Sequence, residues 1–257
     1  NKYEIGTKNL DYHHTIKKNL NVKTSYNIFE YKVCSNEYGM RISCEQKIEV
    51  NKNNTKNYDV MFIGDSFTFG WGLDYDETFV GIVQKKLKDL KIGNMGVKSY
   101  SPTLYYLKTK KFLEDNFKIK ELIVFIDISD IEDEFRRFKI HQALLNNEIE
   151  DLNEITEKKI IDAEVNEKQK PKKNIKSILS NKFPFSYRLL FEIKNFYLPQ
   201  PKYRYHYGYD RSVWSYDQKL ANYDVQLSIE SSIKSMDKLY ELLSQNNIKL
   251  SVAVYPW

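Results

Sequence analysis

Residues 59–72 read Asp-Val-Met-Phe-Ile-Gly-Asp-Ser-Phe-Thr-Phe-Gly-Trp-Gly, and this stretch decides the fold. Its four apolar residues, 60–63, run directly into Gly64-Asp65-Ser66. An uninterrupted apolar run that ends in a sharp turn is typical of a strand buried in a parallel sheet. Ser66 therefore stands at the carboxyl end of a predicted strand, which is where open α/β sheets bind their ligands.

Alternating helices and strands continue outward from this turn as far as Asp130. The pattern after Ser66 comprises an amphipathic helix, a short strand, a helix with Pro in its first turn and a fully apolar strand, over 79–90, 91–95, 101–113 and 122–126 in turn. Such a βαβαβ series implies parallel strands joined by right-handed crossovers, with helices on both faces. We predict an α/β fold, a three-layer α/β/α sandwich around a parallel sheet.

The rest of the chain divides into further parts around this core. Residues 1–57 look like an irregular lead-in with one hairpin, and the alternating pattern dissolves from about 135 to 222. A helical stripe and a final strand resume it over 224–257. We predict a single domain over 1–257, with its α/β core in 59–134 and 224–257 and a largely helical insertion between them.

The composition is that of an ordinary folded protein. The chain has 257 residues, of which 41% are hydrophobic and 29% are charged. Its net charge of +5 comes from 40 basic and 35 acidic residues, a balance too even to indicate nucleic acid. No apolar run reaches the roughly 18 residues that span a bilayer. We therefore expect no nucleic-acid partner and no membrane span in this chain.

The two cysteines, Cys34 and Cys44, flank a turn at residues 35–39 between two short β-like runs. They either form a disulfide across this hairpin, as an oxidising compartment would allow, or remain two half-buried thiols; two cysteines are too few for a zinc site. The chain begins at Asn1, not Met, which is consistent with a removed signal or anchor. The compartment stays unknown, with the cell envelope or periplasm favoured over the cytoplasm.

The segment from Gly64 to Gly72 resembles block I of the SGNH (GDSL) hydrolase family, whose nucleophile is the Ser of Gly-Asp-Ser. The resemblance implies that the backbone N–H of Gly96, after the second predicted strand, joins the oxyanion hole. Ser129 stands where the family has an oxyanion-donating Asn. Ser129 and Asp130 are therefore candidates for oxyanion or substrate binding, or else for capping the next helix. Gly96 also has a purely structural alternative, a tight turn.

A serine nucleophile needs a base, and the sequence leaves its identity open. The family takes its catalytic Asp and His from an Asp-x-x-His near the carboxyl end, and nothing follows Trp257 here. One expectation is thus that a C-terminal piece of the fold is missing from this chain. The other is that Asp11-Tyr-His13-His14 supplies the pair, with Asp11 and His14 as catalytic residues. That order resembles the permuted SGNH proteins of alginate acetylation.

Two further histidines have simpler interpretations. His141 lies in a charged helical stretch and is expected at the surface. His206 lies in a Tyr-rich run beside Arg204, which indicates either a sugar-binding wall or an aromatic face packed on the domain. No cofactor and no metal site are expected.

The resemblance covers about half of the chain and implies a serine esterase or O-acyltransferase acting on acylated carbohydrate or a small ester, through acyl-Ser66. The turn around Gly39 also resembles a subgroup met in bacterial cell-envelope polysaccharide modification. The alternative is a non-catalytic carbohydrate-binding or scaffold protein on a degenerate form of the same fold. A flavodoxin-like nucleotide binder is a weaker hypothesis, because no phosphate-cradling Gly-rich loop is present.

Overall fold

The structure is a computed structural model that describes residues 5–26, 29–45, 56–146 and 223–255. The chain divides into two compact units, Asn1–Leu152 with Ser212–Trp257, and Asn153–Arg211. Every described residue belongs to the first unit. Most of the predicted insertion, with His206, therefore lies outside the described residues, and the predicted domain division stays a prediction.

The described elements are nine strands and six α-helices. The strands are β1 (Gly6–Asn9), β2 (His13–Ile16), β3 (Asn21–Tyr26), β4 (Phe29–Ser35), β5 (Arg41–Ile42), β6 (Asn57–Ile63), β7 (Ile92–Asn94), β8 (Lys118–Ile126) and β9 (Lys249–Val254). The helices are α1 (Ser66–Phe69), α2 (Phe79–Lys86), α3 (Pro102–Glu114), α4 (Ser129–Arg136), α5 (Phe138–Leu145) and α6 (Tyr223–Gln245).

Seven of the strands form one sheet in the order β3-β4-β5-β7-β6-β8-β9. The neighbours β7, β6, β8 and β9 are parallel, as the sequence predicted. The strands β3, β4 and β5 are antiparallel to one another, and β5 joins the parallel part through the antiparallel pair Arg41 and Asn94. The sheet is therefore mixed, and the prediction of a parallel sheet is wrong for its first three strands.

The N-terminal segment is not an irregular lead-in, because it supplies these three strands and the separate β1–β2 pair. The predicted hairpin is present as β4 and β5, with Gly39 at a φ of 75° in its turn. A disulfide joins Cys34 to Cys44 across it, with the Cα atoms 5.2 Å apart. The sequence missed β3 because its exposed, polar residues carry no apolar run of the kind that marks β6.

Helices cover the parallel part of the sheet. Val80 of α2 packs with Phe62, Tyr75 and Ile92 in a core on β6 and β7. Helix α6 packs against α3, α4 and β9. The described structure is thus an α/β fold with a mixed sheet, and the three-layer arrangement stays a prediction. None of the described helices combines the length and the apolar character that a membrane span requires.

Candidate active site

Ser66 lies at the carboxyl end of β6, the position expected from the sequence. Strand β6 ends at Ile63 and helix α1 begins at Ser66. Asp65 caps this helix, since its Oδ1 accepts a hydrogen bond from Phe67 N at 2.9 Å. The Ser66 side chain is half-buried, and its Oγ donates to Asp65 Oδ2 at 3.2 Å. Among the described residues, the partner of this hydroxyl is thus a carboxylate.

Two glycines allow α1 to lie directly on the strand ends. A Cβ on Gly64 would lie 2.1 Å from Thr68 Oγ1, and a Cβ on Gly96 would lie 2.5 Å from Phe69 N. Both distances are far below an ordinary contact between non-bonded atoms. Only a residue without a side chain therefore permits this approach, and the exposure of Ser66 depends on glycines from two different strands.

Gly96 lies close to α1, as expected for a residue of the site, but its N–H is already paired. Gly96 N donates to Asn94 Oδ1 at 2.9 Å, and Asn94 Nδ2 donates to Thr68 O at 2.8 Å. Asn94 thereby links the end of β7 to α1. The predicted role of Gly96 as an oxyanion donor is not supported in this conformation, whereas its alternative role, close backbone packing, is present.

Ser129 and Asp130 are also engaged inside the protein. Ser129 Oγ donates to Asp127 Oδ2 at 2.9 Å, which uses the single proton of this hydroxyl. Asp130 Oδ2 accepts from Tyr105 OH at 2.8 Å and from Asp127 N at 3.0 Å. Both residues are buried. The side chain that caps α4 is that of Asp127, whose Oδ1 accepts from Ser129 N at 3.2 Å, and the Ser129 hydroxyl is directed at Asp127; a role of Ser129 or Asp130 in oxyanion or substrate binding stays a prediction.

The buried carboxyl groups Asp65, Asp127 and Asp130 form a cluster that the sequence analysis did not identify. Burial raises the pKa of Asp65 to about 6 against the lowering effect of Phe67 N–H, and the charge of Asp127 adds to the rise. Burial likewise raises the pKa of Asp130 well above its usual value. The sequence contained a sign of this cluster, because Asp127 directly follows β8 and Asp65 lies two residues after β6. Within the described residues, no group of acidic, His or Cys side chains is arranged to hold a metal.

His14 is held by its own neighbours. Its Nε2 lies 2.8 Å from the carbonyl oxygen of Lys98, which can only accept, so Nε2 carries a proton. Its Nδ1 lies 2.7 Å from Nδ1 of His13. Burial lowers the pKa of His14 to about 4, and Arg137 adds to this effect. A neutral imidazole with both nitrogens engaged and so low a pKa is a poor base for a serine hydroxyl.

Asp11 does not orient His14. Its exposed side chain lies with Lys110 and Lys111 of α3, where it lines a small surface pocket. Both ring nitrogens of His14 have other partners. The structure does not bring Asp11 and His14 together, because the turn between β1 and β2 directs the two side chains to different surroundings; their role as a catalytic pair stays a prediction.

His141 is fully buried, so its predicted surface location is wrong. Its Nδ1 lies 3.3 Å from Glu134 Oε2. Burial acts to raise the pKa of Glu134, but the nearby His141 and hydrogen bonds from Thr103 and Ser101 hold it at about 2. Local sequence could not indicate this burial, because the charged stretch around His141 is covered by helix α6, which is distant in the chain and whose Ser231 donates to Glu134 Oε1 at 2.7 Å.

Arg41 fixes the loop that follows α1. This fully buried guanidinium donates through Nη1 to the carbonyl oxygen of Gly70 at 2.6 Å and to that of Phe69, and through Nη2 to that of Leu73. Three backbone carbonyl groups between the end of α1 and Leu73 are thus tied to β5. Arg41 was missed as a site-positioning residue because nothing in its local sequence shows which carbonyl groups it binds.

Comparisons with known proteins add little. No protein-family model matches the chain, and no curated protein matches it. Two solved structures of the esterase AlinE4, described as an SGNH-hydrolase family esterase and one of them a point mutant, align with it at 22% identity and a TM-score of 0.26. The alignments cover 40% of this chain and 55–56% of AlinE4, about half of its length. A TM-score this low carries no argument about activity.

Proposed function

We propose that this protein is a serine esterase or O-acyltransferase of SGNH type, acting on an acylated carbohydrate or a small ester through Ser66. The observation that carries the proposal is the position of Ser66. Its half-exposed hydroxyl stands on a rigid turn at the carboxyl end of a central parallel strand and at the first residue of a helix. Ligands bind at this edge in open α/β sheets.

In the proposed reaction, Ser66 Oγ attacks the ester carbonyl while a base takes its proton, and the alcohol leaves with that proton. An acceptor then attacks acyl-Ser66 and restores the free hydroxyl. Water as acceptor gives an esterase, and a sugar hydroxyl gives a transferase. The oxyanion would draw the Gly96 N–H away from Asn94 Oδ1, since these two atoms are bonded in the free protein.

The base is not assigned to a described histidine. His14 is neutral and engaged, and His141 is buried against Glu134. The chain contains four histidines, and His206 lies outside the described residues. We therefore assign the base to none of the described histidines, and Asp65 accepts the hydrogen bond of the Ser66 hydroxyl in the free protein.

A second candidate function is a non-catalytic carbohydrate-binding or scaffold protein. It is favoured by the state of the two predicted oxyanion donors, because Gly96 N–H and the Ser129 hydroxyl both donate hydrogen bonds within the protein. This candidate and the enzyme make opposite predictions for the reactivity of Ser66.

The test is labelling with a fluorophosphonate probe, followed by intact mass and peptide mapping, together with turnover of p-nitrophenyl acetate. Ser66→Ala is compared with Ser244→Ala, which removes an exposed hydroxyl at the end of α6. The enzyme predicts labelling at Ser66 that is lost in Ser66→Ala and kept in Ser244→Ala. Absence of labelling and turnover in the folded wild-type chain would support the second candidate.

A further inference from the structure

A large cavity lies beside the nucleophile turn but does not include it. Its volume is about 950 Å³, which is at the upper end for small-molecule sites. Ser66 is not among the residues that line it. The lining comes from β2, β3, the loop after α1, the loop after β7 and the junction of α4 with α5, and includes His14, Thr24, Tyr26, Trp71, Lys98 and Arg137.

The charge of the lining is one-sided. Lys98 and Arg137 both line the cavity, and no Asp or Glu does. The hydrogen bonds described for Arg137 all use Nη1, to Ser99 O at 3.1 Å and to Asp133 at 3.0 Å. A guanidinium has five N–H donors in a planar fork, so donors remain for a carboxylate or sulfate.

Aromatic rings form a second part of the wall. Trp71 is half-buried, and the Tyr26 ring meets it edge to face at a centroid distance of 6.4 Å. Phe69 supports Trp71 at 5.6 Å, and the Lys98 ammonium lies 4.8 Å from its ring centroid. A fixed indole offers a flat apolar surface, and the cation above it favours an anion at the same place.

Hydroxyl groups complete the lining, from Thr15, Thr24, Ser25 and Ser99. A wall that combines hydroxyls, flat rings and cations fits a ligand with several hydroxyl groups, an apolar face and a negative charge. A simple inorganic anion would leave most of this volume and the aromatic surface unused. A purely apolar ligand would desolvate Lys98 and the Arg137–Asp133 ion pair without offering either of them a hydrogen bond.

We propose that this cavity binds an acidic saccharide, a short chain of carboxylated or sulfated sugar rings, with one ring on Trp71 and its acidic group at Arg137 and Lys98. The inference stands independently of catalysis by Ser66. If the proposed function also holds, the cavity positions the acidic carbohydrate whose acyl group reaches Ser66.

The experiment is titration of the full chain, followed by Trp fluorescence and calorimetry at low and physiological salt. The probes are a galacturonate trimer, a sulfated galactose trimer, a neutral galactose trimer and inorganic sulfate. Each is titrated into the wild type and into Ser66→Ala, so that loss of catalysis and loss of binding are distinguished. We expect at least one acidic trimer to bind more tightly than the neutral trimer and sulfate, equally in both proteins.

Variants locate the site. Lys98→Gln and Arg137→Gln are each expected to weaken binding of the acidic trimer by about 10- to 100-fold, the loss typical of a charge-assisted hydrogen bond. The exposed Lys88→Gln, which removes the same charge from the end of α2, is expected to leave it unchanged. Because Arg137 also anchors Ser99, the exposed Lys98 supplies the variant that tests binding without a folding defect.

Three results would overturn the proposal. The first is that no acidic trimer binds better than the neutral trimer. The second is that sulfate binds as tightly as either acidic trimer. The third is that Lys98→Gln and Lys88→Gln weaken binding of the acidic trimer to the same extent.

Discussion

The two sides of the Ser66 turn differ in charge and in how that charge is used. Strand β6 lies between β7 and β8 in the sheet. On the β8 side, the turn meets the buried carboxyl groups of Asp65, Asp127 and Asp130, which are bonded to one another's backbone or to neighbouring hydroxyls. On the β7 side, Lys98 and Arg137 line the large cavity beside the turn.

The difference distinguishes charged groups that stabilise the fold from charged groups that could bind a ligand. The hydrogen bonds of the buried carboxyl groups to neighbouring N–H and hydroxyl groups hold the strand ends together, and burial raises the pKa of Asp65 and of Asp130. Lys98 and the Arg137–Asp133 ion pair border an open volume instead. We therefore expect the acidic side to serve the folding of the turn and the cationic side to serve the proposed binding.

The largest expected effect concerns pH, because the two sides respond to acid in opposite ways. The pKa of His14 is lowered from 6.5 to about 4, so its contribution to stability is present above pH 6.5 and is lost as the pH falls through 4. The pKa of Asp65 is raised from 3.8 to about 6, so its contribution is present below pH 3.8 and is lost as the pH rises through 6.

The measured quantity is the free energy of unfolding at pH 4 minus that at pH 6.5. We expect this difference to be roughly 3 kcal/mol more positive in His14→Gln than in the wild type, because the variant loses no stability as the pH falls. Asp65→Asn keeps a cap for Phe67 N and should change the same difference by a similar amount in the opposite direction. Urea unfolding at the two pH values measures both. If the two variants changed the difference in the same direction, the opposition between the sides would be wrong.

A smaller effect is expected at Asp130, whose carboxyl group accepts hydrogen bonds from Tyr105 OH and Asp127 N. Asp130→Ala leaves both donors unpaired in a buried place and should cost about 1–3 kcal/mol. Asp130→Asn keeps an acceptor and should cost less than about 1 kcal/mol, because burial disfavours the charged form of Asp130. Chemical unfolding at pH 7 measures both, and equal losses would mean that the charge itself is needed.

The smallest effect is expected on the cationic side. Lys98 is exposed, and we expect Lys98→Gln to change the free energy of unfolding by less than about 0.5 kcal/mol. The matched variant Lys88→Gln should behave in the same way. Thermal and urea unfolding of the two variants are the measurement; a loss above about 1 kcal/mol for Lys98 alone would place it among the structural charges.

Sequence reasoning reached the features that local pattern determines. The apolar run before Gly64 predicts β6, and the turn that follows predicts the position of Ser66 at the carboxyl end of that strand. Gly96 was placed at the site because a strand ends directly before it. Each of these inferences uses neighbours within a few residues.

The features that sequence reasoning missed depend on distant partners. The carbonyl that fixes His14 belongs to Lys98, 84 residues further along the chain. The Ser231 hydroxyl that helps to bury Glu134 is 97 residues away. The identity of a hydrogen-bond partner depends on which elements meet, and an Asp-x-x-His spacing cannot show that the turn between β1 and β2 separates Asp11 from His14.

The link from Arg41 to the loop after Ser66 has a practical consequence for dividing this protein into fragments. Arg41 lies on β5, in a hairpin that the Cys34–Cys44 disulfide closes, and the carbonyl groups of Phe69 and Gly70 depend on its guanidinium. A fragment that began at β6 would keep the whole Gly-Asp-Ser segment yet lose the residue that shapes its far end. A fragment meant to preserve the serine turn should therefore begin before β4, so that it keeps the disulfide-closed hairpin and Arg41.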